Sequence, residues 1–241
     1  MNIGEAIRFV FEDDQWPGKL LVGAFVSLIP LLGGAAITGY AIAVLRNVEA
    51  GSERPLPTWD RLGDYFVDGL QFWVATLIYS IPFLILACPI AVVWVLPAMA
   101  GESQDATTIL TSIAGLVTAG LGCLSLLYGL LLWVLMPVLQ IRFAETGELG
   151  PCLRFGEVFA FLFDHIGAII IAQLFVWLAG FAVTTILGGI IGLFALVPIC
   201  GWVLASLLGL AIVPVGTWLM LFAAHLYGQI GLEAELGSSV V

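Results

Sequence analysis

The sequence predicts an all-α protein, a polytopic bundle of transmembrane helices. Three observations predict this class: 61% of the 241 residues are apolar, only 10% are charged, and the mean hydropathy is +1.13. A soluble domain is about 45–50% apolar and about 25% charged, because it must cover its surface with polar side chains. The composition therefore excludes a soluble enzyme and an intrinsically disordered chain, and it makes the lipid bilayer the expected environment.

The charge balance limits the partners of the chain. Seven Lys and Arg residues stand against 17 Asp and Glu residues, which gives a formal net charge of −10. A surface of this charge repels the phosphate backbone of nucleic acids. We therefore expect no nucleic-acid partner.

The elements follow from stretches without charged residues, since a membrane helix needs about 20 apolar residues. We divide the last and longest stretch near Pro198 and Gly201, because both residues interrupt helices. All five spans belong to one integral membrane domain over residues 1–241, and some of them are broken by Pro or Gly. The expected spans are about 20–45, 71–98, 107–141, 166–196 and 201–231.

The distribution of Lys and Arg predicts the orientation. Arg46, Arg54 and Arg61 lie in the loop 46–69, and Arg142 and Arg154 lie in the loop 142–165. The loop around 101–105 contains no basic residue. Short basic loops stay on the cytoplasmic side, so we expect both basic loops to be cytoplasmic and the chain to lie in the cell membrane.

The first uncharged stretch, 20–45, leaves two topologies open. If it crosses once, Arg8 and Lys19 lie on the outer side, against the charge rule. If it is a re-entrant hairpin bent at Pro30–Gly34, all seven basic residues lie inside. The length of the stretch favours the crossing, whereas the charge distribution favours the hairpin.

Three short amphipathic segments precede uncharged stretches. Segments 3–12, 58–69 and 154–164 each place charged residues on one helical face and apolar residues on the other. Such helices lie flat in the headgroup region, or they are the first turns of the spans that follow. The first and third segments, IGEAIRFVFED and FGEVFAFLFDH, are similar and suggest an internal repeat.

Three sequence runs carry a family resemblance: FEDDQWPGKLLVGA, GYAIAVLRNVEAG and LPTWDRLGDYFVDGL, followed late in the chain by AHLYGQIGL. Together they resemble an uncharacterised prokaryotic family of polytopic membrane proteins, domain of unknown function 4013. The resemblance implies a helical membrane protein, and the family has no established activity to carry over. The residues concerned are Asp13, Asp14, Trp16, Lys19, Gly39, Tyr40, Arg46, Pro57, Trp59, Gly69, His225 and Gly228.

An acidic face is the first candidate site. Asp60, Asp64 and Asp68 are spaced i, i+4 and i+8, which places them on one face of a helix. Like charges at this spacing cost a few tenths of a kcal/mol each. A nearby arginine (Arg46, Arg54 or Arg61), a partner protein or a divalent cation would relieve the repulsion, or water alone solvates the face.

Polar residues inside the spans are the second candidate site. They are candidates for the lumen of a transport path, and they are Thr38, Tyr40, Gln173, Thr184 and Thr185. We expect no catalytic residues, no cofactor and no metal site, because the sequence contains no GxSxG, no HExxH and no CxxC motif.

The preferred function is therefore a non-catalytic structural, assembly or accessory subunit of a membrane complex, which packs against other membrane subunits or against itself. The alternative is a small transporter or channel for a neutral solute or a lipid, with helices broken by Pro and Gly around the path. A third hypothesis is a lipid-organising protein that acts through its interfacial helices.

Overall fold

The computed structural model describes residues 1–99 and 104–238, and its regular elements are helices throughout these ranges. A short 3-10 helix, Trp59–Arg61, precedes α4. The predicted outer loop lies partly outside the described residues, at 101–103. The α-helices are α1 (Ile3–Arg8), α2 (Trp16–Ser27), α3 (Leu32–Glu49), α4 (Leu62–Met99), α5 (Gln104–Thr146), α6 (Leu149–Cys152), α7 (Phe155–Ala195), α8 (Cys200–Leu210) and α9 (Ile212–Ser238).

Within the part of the chain that the structure describes, four helical stretches are long and apolar enough to cross a membrane: Trp59–Pro97, Gln104–Thr146, Phe155–Ala195 and Cys200–Leu236. The all-α membrane class predicted from composition is confirmed, and these stretches indicate membrane localisation. The predicted number of five spans was approximate, since it counted residues 20–45 as a crossing. In the structure those residues are not one helix but two, α2 and α3.

The amphipathic segments are continuous with the helices that follow them in two of three cases. One helix, α4, covers most of 58–69 and all of 71–98, and α7 likewise covers most of 154–164 together with 166–195. An unbroken helix keeps every backbone hydrogen bond within the segment, which matters most at the edge of a bilayer. Only α1 stands alone, and it ends at Arg8 instead of residue 12.

The prolines of the chain differ in their effect on the helices. Pro82, Pro89 and Pro97 lie inside α4, which continues through them. At Pro30 and Pro198 the helix ends and a new one begins. The difference lies in the next residue, because Leu31 and Ile199 have positive φ values of 62° and 63°.

The two reversing turns have the same structure. The sequences LIPLLG (28–33) and LVPICG (196–201) share Leu, Pro and Gly at the same positions. In each turn the residue two after the proline donates its N–H to the proline carbonyl, at 2.7 Å for Leu32 and 2.8 Å for Cys200. This is a γ-turn, a tight three-residue reversal. Gly33 and Gly201 complete both turns, since a Cβ at either position would overlap the backbone of the preceding helix.

The chain divides into two compact units. The first consists of residues 1–73 and the chain from Pro137 onward, and the second lies within 74–136. The first unit contains the largest fully buried side chains, including Tyr40, Phe143 and Phe222. In the second unit many leucines of α5 are exposed, such as Leu116 at 76% and Leu126 at 73%, although Leu135 is buried.

Candidate functional site

A cluster of ion pairs and aromatic rings lies between α2, α3 and the segment 50–60. Its centre is Lys19, whose Nζ contacts Asp13 Oδ2 at 2.7 Å and the Leu56 carbonyl at 2.9 Å. Burial by itself raises the pKa of Asp13. The hydrogen bonds from Lys19 and from the Gln15 N–H, with the positive charges of Lys19 and Arg54, outweigh it and lower that pKa. The Asp13 carboxylate therefore remains ionised at neutral pH.

Aromatic rings join this ion pair to α3. The Tyr40 and Trp59 rings stack with centroids 4.0 Å apart, and Trp59 Nε1 donates to the Lys19 carbonyl at 2.9 Å. The Tyr40 hydroxyl donates to the Pro57 carbonyl at 2.8 Å, and the Tyr65 hydroxyl donates to the Thr58 carbonyl at the same distance. Burial raises the pKa of Tyr40, so its hydroxyl stays a donor. These bonds hold the segment 55–59 against the helices.

A groove of about 550 Å³ lies beside this cluster. Asp14 and Asp60 line the groove. The exposed Asp14 side chain also pairs with Arg54 at 3.3 Å. Asp60 thus belongs to the 3-10 turn beside the groove, whereas Asp64 and Asp68 lie in α4. Asp68 contacts Arg46 Nη1 at 3.5 Å, so one of the proposed arginine counter-charges is in place. Asp64 is exposed to solvent.

Two glycines allow α3 and α4 to touch. A Cβ at Gly39 would overlap the Tyr65 backbone, and a Cβ at Gly69 would overlap the Ala35 carbonyl. Both overlaps involve backbone atoms, which cannot turn away as a side chain can. Any larger residue at either position would therefore force the two helices apart.

Glu49 is a buried carboxylic acid at the end of α3. It is 8% exposed, and its Oε1 has no hydrogen-bond partner among the described residues. Burial first, then the charges of Glu145 and Glu235, raise the pKa of Glu49 to about 8, while Arg46 lowers it. With this pKa, the Glu49 carboxyl is largely protonated at neutral pH. It lies against Gly231 of α9, where α3 and α9 pack closely.

A polar cavity of about 380 Å³ lies near Glu49, and Glu145 and Glu235 line it. Its other lining residues include Arg142, which pairs with Glu145 at 3.1 Å and covers the Phe161 ring at 4.9 Å. Among the described residues, no group of three or more His, Cys, Asp or Glu side chains has a metal-binding arrangement. The cavity is therefore a mixed-charge site at the ends of α5 and α9.

The comparisons with known proteins give one result. The family model "Protein of unknown function (DUF4013)" matches residues 22–193. The chain belongs to the DUF4013 family. No curated protein and no solved structure matches it.

The family assignment confirms the resemblance predicted from the sequence. Within the DUF4013 match lie Gly39, Tyr40, Trp59 and Gly69, which form the aromatic cluster and the close contact of α3 with α4. Asp13 and Lys19 precede the match, although they complete the same cluster. Several of the residues that carried the resemblance thus lie close together in the fold, whereas His225 contacts Phe9 and Gly228 lies against Val48.

The five polar residues proposed for a transport path do not line the grooves described here. Thr38 donates to the Gly34 carbonyl at 2.9 Å and accepts from Trp73 Nε1 at 3.2 Å. Gln173 Oε1 accepts a hydrogen bond of 2.7 Å from Tyr227, and Tyr40 belongs to the aromatic cluster. Thr184 and Thr185 are exposed on α7, where Thr184 donates to the carbonyls of Gly180 and Phe181.

Sequence reasoning missed the burial of Glu49 and the structure that the two turns share. Glu49 lies next to a loop, where a carboxylate is normally solvated, and only the folded structure shows that it is buried against Gly231. The turns had a signal in the sequence, since a Leu-x-Pro-x-x-Gly pattern occurs at both 28–33 and 196–201.

Proposed function

We propose that this DUF4013 protein is a non-catalytic accessory subunit that packs against other helices in the membrane. The supporting observation is the exposure of its most apolar helix faces. In the most apolar 18-residue stretch of Trp59–Pro97, only 6% of the residues are buried within the chain. Helices that pack mainly on each other would bury a larger share.

A groove in the second unit supplies the packing surface. It has a volume of about 730 Å³, and Phe83 of α4 lines one part of it. From α5 it is lined by small residues at helical spacing, namely Thr118, Gly122, Ser125 and Gly129. Small residues at this spacing let another helix approach closely, which is the main source of affinity between helices in lipid.

A non-catalytic role agrees with the chemistry of Cys152, the cysteine that lies outside the spans. Cys152 is fully buried, and burial raises its pKa to about 11. Its Sγ lies 3.7 Å from the Leu139 carbonyl. A thiol with this pKa is protonated at neutral pH and is a poor nucleophile. The transporter alternative has less support, since its five polar residues line none of the grooves described above.

Site-specific photocrosslinking in native membranes tests the proposal. A photoactivatable leucine analogue replaces Leu126, which lines the groove, or Leu124, which lies on the opposite face of α5 and is 52% exposed. The full-length chain is expressed at its native level, and adducts are resolved by mass. We expect a discrete protein adduct from position 126 and lipid adducts from position 124. Lipid adducts alone from both positions would contradict the proposal.

A further inference from the structure

Residues 20–45 form most of a hairpin of two helices, α2 and α3. The two helices run antiparallel, since Gly33 at the start of α3 lies against Val26 near the end of α2. Further from the turn, a Cβ at Gly23 would lie 3.5 Å from Ile37 Cδ1. The γ-turn at Leu31 therefore folds the stretch back on itself.

The chain before the hairpin and the chain after it both contact the same end of α9. Before the hairpin, Gln229 Nε2 of α9 donates to the Asn2 carbonyl at 3.1 Å. After the hairpin, Glu49 lies against Gly231 of the same helix. Gln229 and Gly231 are two residues apart, or about 3 Å along the helix axis. A bilayer about 30 Å thick cannot pass between them.

The hairpin is also too short to cross and return. The 12 residues of α2 extend about 18 Å, whereas the hydrocarbon core is about 30 Å thick. The turn carries exposed apolar side chains, with Phe25 at 69%, Leu28 at 58% and Leu31 at 78%. Residues 20–45 contain no charged side chain. An apolar tip of this kind is stable only where it is removed from water.

The depth that the α2–α3 hairpin reaches can be compared with that of a second hairpin, formed by α7 with α8 and α9. A Cβ at Gly23 would lie 3.1 Å from Thr217 Cγ2, which places Ile37 and Thr217 at the same level. From that level α3 continues five residues to Leu32, whereas the other hairpin continues to Cys200. At 1.5 Å per residue, the second hairpin reaches about 18 Å further than the first.

We infer that α2 and α3 form a re-entrant hairpin whose tip inserts into the acyl chains of a single leaflet. The segments on both sides of the hairpin then lie on the same side of the membrane. All seven basic residues share that side, which agrees with the rule for basic loops and makes it the cytoplasmic side. They are Arg8, Lys19, Arg46, Arg54, Arg61, Arg142 and Arg154.

Cysteine labelling of the full-length chain in vesicles tests the sidedness. Cys88, Cys123 and Cys200 are replaced by serine, and one exposed position receives a cysteine: Glu12→Cys before the hairpin or Ser52→Cys after it. Vesicles of either orientation are treated with a membrane-impermeant maleimide. We expect both positions to react only in inverted vesicles. Reaction of Glu12→Cys and Ser52→Cys from opposite sides would overturn the inference, because it would require a crossing.

Gln104→Cys, at the start of α5, is the control for the opposite side. It follows an apolar helix long enough to cross, so it is expected to react only in right-side-out vesicles. This control shows that both vesicle preparations are sealed and correctly oriented.

A depth measurement tests the insertion itself. A bimane probe is attached to Leu31→Cys at the tip or to Arg54→Cys in the basic segment. Lipids with spin labels at different depths should quench the probe at position 31, and iodide should not. The quenching depth should fall within one leaflet. Quenching of position 31 by iodide would overturn the inference, since the tip would then lie in water.

Discussion

The environment of Glu49 differs from the one that its position in the sequence predicts. It ends α3 next to a loop, yet it is buried against Gly231 with Arg46, Glu145 and Glu235 around it. A buried carboxyl avoids the cost of desolvation by binding a proton. Its charge state therefore links the contact of α3 with α9 to pH.

The first prediction concerns Glu49→Gln and pH. Glu49 has a pKa of about 8 in the folded chain, against 4.5 as its ordinary value. Between these values the unfolded chain has released a proton that the folded chain retains. The contribution of Glu49 to the free energy of unfolding therefore falls as the pH rises from 4.5 to about 8, and it is constant above that. Glutamine cannot ionise, so the variant should be more stable than the native chain above pH 8, by up to a few kcal/mol.

Thermal unfolding in detergent over this pH range measures the effect. The two proteins should converge near pH 5, where Glu49 is protonated in the folded chain. Glu53→Gln is the control, because Glu53 is exposed and its replacement should leave the pH profile unchanged. An equal gap between Glu49→Gln and the native chain at every pH would show that the proton is not involved.

At the scale of elements, the contact of α3 with α4 depends on the absence of side chains. We predict that Gly69→Ala destabilises the fold by about 1–3 kcal/mol, since its Cβ would overlap the Ala35 carbonyl. Gly63→Ala in the same helix is the control, because a Cβ there meets nothing within 4 Å. Alanine favours helix over glycine by up to about 1 kcal/mol, so Gly63→Ala should be neutral or stabilising. Denaturant titration of both variants measures the difference.

The reversing turn gives a second prediction at this scale. Leu31 has a φ of 62°, a conformation that costs an L-residue about 1–3 kcal/mol and that glycine adopts freely. Leu31→Gly should therefore raise the melting temperature. Leu28→Gly, three residues earlier at a φ of −74°, should lower it, because helical backbone disfavours glycine. Equal effects of the two replacements would show that the backbone at Leu31 is not strained.

The elements show how far the sequence alone could predict this fold. The sequence indicated helix breaks at 30–34 and near Pro198 and Gly201, but it left open whether the break at Pro30 reverses the chain. The difference between Pro82 and Pro30 lies in the φ of the following residue, which depends on contacts such as that of Gly33 with Val26. The motif repeated at 28–33 and 196–201 would have indicated both reversals.

At the scale of the whole molecule, composition predicted the class but not the location of the core. Composition is a sum over the chain, so it does not depend on how the helices pack. Burial does depend on packing: the stretches around Ile42 and Leu126 are both apolar, yet Ile42 is 2% exposed and Leu126 is 73% exposed. The same holds for the cluster around Lys19, Tyr40 and Trp59. Its residues could be recognised in the sequence, but their contacts with one another depend on packing and could not.

The last prediction locates the stability of the molecule in its first unit. Phe222 is 1% exposed in α9, and its ring lies 5.8 Å from that of Trp218. Phe222→Ala removes these packing contacts and leaves a cavity, which costs about 3 kcal/mol or more. Leu126→Ala in the second unit should cost less than about 0.5 kcal/mol, since an exposed side chain there leaves no cavity. Unfolding by steric trapping in bilayers measures both values. A comparable loss of stability for Leu126→Ala would mean either that a second copy covers this surface during the measurement or that the fold itself depends on Leu126. Repeating the titration at lower protein concentration would separate the two, because only self-association depends on concentration.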